Sequence, residues 1–415
     1  MNRQAPVQLL NITVSLIALF IMAGCNFRTS REKCSENNKI YETVTLPAID
    51  LNYDSSRQVL VDREEGQYLG HVTTVLLEDG RTIFAVYPKG HGRGAIVMKR
   101  SDDGGLSWSD RLPTPESWST SREVPTIHSV VDPSGEKRLI LWSGLYPARL
   151  AVSEDDGRSW SELEPAGDWG GIVVMGFVEP LDTGEGHHLA MFHDDGRFIS
   201  GGENEFWGSP AGERTDTFKL YKTFSRDGGL TWSYPEVVWS GSNIHLCEPG
   251  AVRSPDGKQI AVLLRENRRE KNSHVIFSDD EGATWSEPQE LPLSLTGDRH
   301  TAKYGPDGRL FITFRGISPH GRRDGRPFET DWVGWVGNYE DIVNGDEGQY
   351  VVRLKKNYPS TSGWAYDTAY PGLEVLPDGT IVSTTYGHWD EGEPPYIISV
   401  RFRLDELDKR LRNNK

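Results

Sequence analysis

One turn motif, Ser-x-Asp-x-Gly-x-Ser/Thr-Trp, recurs four times in this chain, at residues 101–108, 153–160, 225–232 and 278–285. Each copy follows a short apolar run, at 95–98, 150–152, 221–224 and 275–277. The residue types suit a hairpin turn. The Asp carboxylate accepts bonds from turn amides, the Gly takes a positive φ, and the Trp packs back onto the strands. Four complete copies at blade-sized spacing predict radial β-sheets. They also make the Asp residues of the motif structural, not catalytic.

A second period counts the blades. Strand–turn–strand hairpins centre on Asp79-Gly80, Asp256-Gly257, Asp307-Gly308 and Asp378-Gly379, with looser versions at Ser134-Gly135 and 184–186. Six hairpins predict an all-β, six-bladed β-propeller with four Asp-box turns over residues 46–404, seven blades being the alternative. The 44 Gly, 24 Pro and 13 Trp of the 415 residues agree with many tight turns around large aromatic side chains. The charged segment 405–415 is expected to be a solvated tail.

The N-terminus reads as an address. Arg3 precedes an apolar run over 7–23 that ends in Met22-Ala23-Gly24-Cys25, which describes a secretory signal over 1–24. Cysteine directly after Ala-Gly resembles the lipobox of bacterial lipoproteins, with Cys25 as the lipidated residue and 25–45 as a tether. Asn26 in the next position leans towards the outer membrane, on the periplasmic or the surface side. Membrane attachment is expected through that lipid alone. Cys34 and Cys247 are then the other two cysteines of the mature protein, so neither a structural disulfide nor a metal-binding set is expected, and no cofactor. The net charge of −16 argues against nucleic acid, whose phosphates need clustered Lys and Arg. A glycan partner and a monomer are the expectations.

If the Asp-Gly turns and the Asp-boxes lie on one face, the starts of first strands and the ends of second strands meet on the other. The starts bring His71, Glu123, His128, Glu248, Arg299, His300 and Tyr370. The ends bring Lys89, His91, Arg93, Arg149, His193, Asp194, Asp195, Arg197, Arg265, Arg315, Tyr386 and His388. This is a dense polar set for an acidic protein, although any one of these residues is more often just a solvated strand end.

Two stretches are more specific. Cys247-Glu248-Pro249 leads through Ser254-Pro255-Asp256-Gly257 into Leu264-Arg265-Glu266-Asn267-Arg268. Thr368-Ala369-Tyr370-Pro371-Gly372-Leu373 leads into Leu376-Pro377-Asp378-Gly379. From about Tyr68 to Leu404 the chain resembles the sialidase (neuraminidase) superfamily. That resemblance implies Tyr370 as nucleophile, Glu248 as its base, and Arg265 with Arg315 as a clamp for a sugar carboxylate. The chemistry is coherent, since an anomeric carboxylate would repel a carboxylate nucleophile and an Arg fork matches the anion.

The first blade departs from the pattern. His71 stands roughly where the family has an arginine, and the stretch 87–95 lacks the family's acid/base Asp. Lys89 or Arg93 is the candidate to replace the arginine, and His91 to act as the acid. Asp194 or Asp195 is the alternative acid, and His71, His128 and His300 complete the expected substrate-binding set. The favoured reading is a retaining exo-glycosidase releasing a terminal acidic sugar, sialic acid or another keto-acid sugar. A polysaccharide lyase or uronate-directed glycosidase with a His/Lys/Arg site, and a non-catalytic glycan-binding propeller, are the alternatives.

Overall fold

The computed structural model describes residues 46–144, 147–167, 171–195, 217–319 and 327–413. The signal segment, Cys25 and the tether lie outside the described residues. Six sheets follow one another in chain order. Their innermost strands are Thr73–Leu76, Pro125–Val131, Met175–Pro180, Leu246–Arg253, Gly297–Tyr304 and Gly372–Val375. Each of these touches the next, and the last touches the first, so the ring closes on itself as a six-bladed propeller. The six expected hairpins join the first and second strands of the six blades.

Closure uses the start of the described chain. Gln58–Asp62 pairs antiparallel with Tyr396–Phe402, placing Gln58 opposite Val400, and becomes the outer strand of the last blade. Ala48–Asp50 adds to the blade before it, parallel to Tyr350–Lys355. Pairing ends distant in sequence covers edges that would otherwise be open to another chain.

The Asp-boxes form one repeated bond pattern. In the third copy Gly229 N donates to Ser225 Oγ at 2.8 Å and Thr231 N donates to Asp227 Oδ1 at 3.0 Å. The same pair of bonds recurs in the first, second and fourth copies. The box glycine answers two constraints at once. At Gly157 and Gly282 φ is 77° and 81°, and a Cβ would come within 2.7 Å of Phe84 and 2.8 Å of Leu189. Each of those neighbours belongs to the preceding blade, so the box turn packs one blade onto another as well as closing a hairpin.

The expected tail is a helix. Leu404–Asn413 forms nearly three turns, with Leu404 and Leu407 buried and Leu411 packed on a cluster that includes Phe311, Tyr350 and Phe402. The apolar spacing i, i+3, i+7 puts these leucines on one face. Arg309–Asp408, at 2.9 Å, and Arg57–Glu406, at 2.6 Å, tie the polar face to neighbouring elements. Leu407→Ala is expected to cost about 2–4 kcal/mol, read as a lowered denaturation midpoint. A solvated tail would tolerate the same change with no measurable shift.

Candidate active site

Four non-glycine residues with left-handed backbone stand at or just before the starts of innermost strands. They are His71 (φ 53°), Glu248 (51°), Arg299 (59°) and Ala369 (51°). In two of the four blades the strand ladder slips at the same place, between Cys247 and Gly250 and between Asp298 and Thr301. Such a conformation costs of order 1–3 kcal/mol per residue and persists where the surrounding fold over-determines it. Here it re-aims side chains at the ends of strands. His71, Glu248 and Tyr370 all reach one pocket of about 1080 Å³.

Glu248 and Tyr370, distant in sequence, meet at the floor of that pocket, where they are 5% and 9% exposed. The Tyr370 hydroxyl donates to Glu248 Oε1. Arg265 Nη1 donates to the same carboxylate oxygen at 2.8 Å and lies 3.5 Å from the phenol oxygen. Burial raises the Glu248 carboxyl, but Arg265 and the Tyr370 hydroxyl outweigh it, aided by His193, and leave it below its ordinary value. Burial, and then the Glu248 charge, push the Tyr370 phenol well above its ordinary value. At neutral pH the pair is therefore a protonated phenol on an ionised carboxylate. The expected nucleophile–base geometry is present, with Arg265 bridging both partners.

Arg315 is placed differently from the expectation. It does not reach the pocket. Its guanidinium donates to Asp298 Oδ2 at 2.9 and 2.6 Å and to the carbonyls of Tyr366 and Thr368 at 2.6 and 3.2 Å. Its Cζ sits 5.8 Å from the centre of the Tyr370 ring. Asp298 also takes Arg269, at 2.9 Å, and Arg265, whose Nε is 3.1 Å away. Burial opposes the Asp298 charge, yet Arg265, Arg315 and Arg269 hold its carboxyl well below the usual range. Two of the expected clamp arginines thus converge on a carboxylate of the protein itself. Asp298 was missed because its neighbours Arg299 and His300 carried the sequence signal, whereas its partners come from other strands.

A second acid-centred cluster shares His91 with the pocket. Asp367 accepts from the Tyr68 hydroxyl at 2.7 Å, contacts His388 Nε2 at 3.1 Å, and lies 3.4 Å from His91 Nδ1. The Tyr68 hydroxyl is also 2.8 Å from His91 Nδ1. Burial works against the Asp367 charge, but His388, His91 and Tyr68 hold its carboxyl far below the usual range. Against burial, Asp367 in turn raises His388. His91 therefore stands at the pocket lip with one ring nitrogen fixed by Tyr68 and Asp367. Asp367 carried no sequence motif; the one hint was its position three residues before Tyr370.

The remaining expected residues divide. Lys89 and Arg93 line the pocket, Lys89 also pairing with Glu64 at 2.9 Å. His71 lines it from beneath, with Nδ1 accepting from Gly92 N at 3.1 Å and its ring 4.3 Å from that of Tyr370. Burial, more than the neighbouring His91, holds it neutral. His128 and His300 instead line an axial channel on the far side of this floor. The innermost strand runs on past the mouth, which carries later residues along the axis. Asp194 is buried away from the pocket and Asp195 lines it, because consecutive strand residues face opposite sides. Arg122, overlooked in the sequence, lines the pocket beside Glu123.

A BNR repeat-like domain matches residues 130–324. The anhydrosialidase of Macrobdella decora is 26% identical over 262 residues, which cover 59% of this chain and 30% of that protein. The chain thus spans less than a third of the length of this curated relative. A protein of unknown function from Dyadobacter fermentans aligns with a TM-score of 0.60 at 16% identity, covering 83% of this chain and 97% of its own. An α-L-arabinofuranosidase from Fusarium graminearum, in complex with an iminosugar inhibitor, gives 0.58 at 12% identity, covering 84% and 98%. Both structural likenesses speak for the fold.

Proposed function

We propose that this chain, a BNR-repeat propeller of the sialidase superfamily, is a retaining exo-glycoside hydrolase that releases a terminal acidic sugar. The observation that carries this reading is the buried Tyr370–Glu248 pair with Arg265 across it. A phenol is a poor nucleophile at its own high pKa and needs a base within hydrogen-bond reach. Attack by the Tyr370 oxygen on the anomeric carbon forms the tyrosyl–sugar bond while its proton passes to Glu248. The glycosidic bond breaks, and His91 protonates the departing oxygen. In the second half the now neutral His91 takes a proton from water as the water attacks, and Tyr370 leaves with the proton held by Glu248. The sugar carboxylate faces Arg265 and the basic lip of Lys89, Arg93 and Arg122 instead of an Arg265–Arg315 clamp. The N-terminal lipobox supports export and lipid attachment at Cys25.

Two measurements test this reading. On aryl glycosides of sialic acid, other keto-acid sugars, uronates and arabinofuranose, the account expects turnover of a keto-acid glycoside with retention in the first-formed product, followed by proton NMR. Inversion, an unsaturated uronate product, or binding without turnover would overturn it.

The pH profile follows from Glu248, which must be ionised to take the phenol proton. Its carboxyl lies below the ordinary 4.5, so the acid limb of kcat/KM should fall below pH 4.5. His91→Asn should lower kcat by roughly 10²–10⁴-fold. An unchanged kcat would take His91 out of the acid role.

A further inference from the structure

The interior guanidiniums around Tyr370 have carboxylate partners, with one exception. Arg265 has Glu248 and Asp298, and Arg269 and Arg315 have Asp298. Arg299 is just as buried, at 5% exposure, and has no ion pair among the described residues. Its Nη2 donates to the Met175 carbonyl at 3.0 Å, and its Nη1 is buried with no hydrogen-bond partner. A buried cation with an unsatisfied donor is costly, and native folds supply a counter-charge.

Arg299 borders the axial channel, a cavity of about 340 Å³ between the innermost strands. His128 faces the same cavity, and its Nε2 is likewise buried and without a partner. Burial, together with the charges of Arg299 and Lys303, pushes His128 down to about 3, so the ring is neutral and offers one N–H. The acids along the channel are engaged elsewhere. Glu374 accepts from the Thr74 hydroxyl at 2.8 Å, burial raising its carboxyl and Lys303 being the cation that acts on it, and Glu179 accepts from Arg253 at 2.9 Å. The unsatisfied Arg299 Nη1 and His128 Nε2 border a single cavity, which the positively charged Lys303 also lines.

We propose that the axial channel binds a small monovalent inorganic anion of the halide class between Arg299 Nη1 and His128 Nε2. The anion supplies the direct ion pair that Arg299 lacks, Glu248 and Glu123 acting on it only at longer range. It is also linked to the site above, because Arg299 Cζ lies 5.9 Å from the centre of the Tyr370 ring. This inference stands apart from the glycosidase reading and needs no turnover to be tested.

Crystals grown in sodium bromide and measured at the bromine edge provide the test, with thermal melts in chloride and in gluconate at constant ionic strength. The expected results are an anomalous peak within about 3.5 Å of both nitrogens and a saturable chloride-specific rise in Tm of about 2 °C. Arg299→Met should remove both; should that variant not fold, His128→Leu should weaken the saturable rise at least several-fold. Water alone in the channel, or chloride and gluconate curves that coincide, would overturn the proposal. A bromide peak without the saturable rise would be an adventitious ion only, and would overturn it equally.

Discussion

Tyr370→Phe is expected to lower kcat on a keto-acid aryl glycoside by three orders of magnitude or more, roughly the loss seen when a covalent nucleophile is removed. The change deletes one oxygen and keeps the ring that packs against His71. Glu248 keeps its bond from Arg265 at 2.8 Å, so its charge is not left unpaired. The melt should therefore stay within about 1 kcal/mol of the parent, and KM should change far less than kcat. A binding module would show no such split between the two parameters. Turnover that survives the substitution would remove Tyr370 from the chemistry, whatever the fate of the fold.

The second large effect belongs to Asp298, which is buried and neutralises three arginines. Replacing it by Asn keeps the shape and removes the charge. Breaking a buried ion cluster from one side costs about 3–5 kcal/mol, read from urea midpoints at neutral pH. The pH dependence has a definite sign. The folded-state pKa of Asp298 is depressed, so its contribution is present above the unfolded value of roughly 4 and is lost as pH falls through the folded value. The stability gap between parent and Asp298→Asn should thus narrow below about pH 4 and stay constant between pH 5 and 7. A gap that instead widens in acid would show that the carboxylate is not held ionised by the arginines.

These two residues also mark what the sequence made legible. The propeller could be read because its turns repeat: the box bonds Gly229 N to Ser225 Oγ and Thr231 N to Asp227 Oδ1 are local, spanning four residues each. Tyr370 and Glu248 could be read because each sits in a distinctive local stretch, although the bond between them spans the ring. Asp298 and Asp367 could not, since each gains its role from partners on other blades or distant loops. Arg315 shows the converse. Its strand end was placed correctly, yet a strand end does not fix whether a long side chain turns towards the pocket or towards Asp298. The C-terminal helix was hidden by its charge, which outnumbers the three leucines that dock it. His128 and His300 were assigned to the mouth because strand starts were counted without their depth along the axis.

The proposed mechanism turns on attack of the Tyr370 oxygen on the sugar. Incubation with a fluorinated keto-acid glycosyl fluoride, which slows breakdown of the intermediate, followed by mass spectrometry of peptides, tests it most directly. The account predicts one added sugar on the peptide carrying Tyr370, with none in Tyr370→Phe. An adduct on Glu248, or full turnover of a keto-acid glycoside with no adduct at Tyr370, would contradict it.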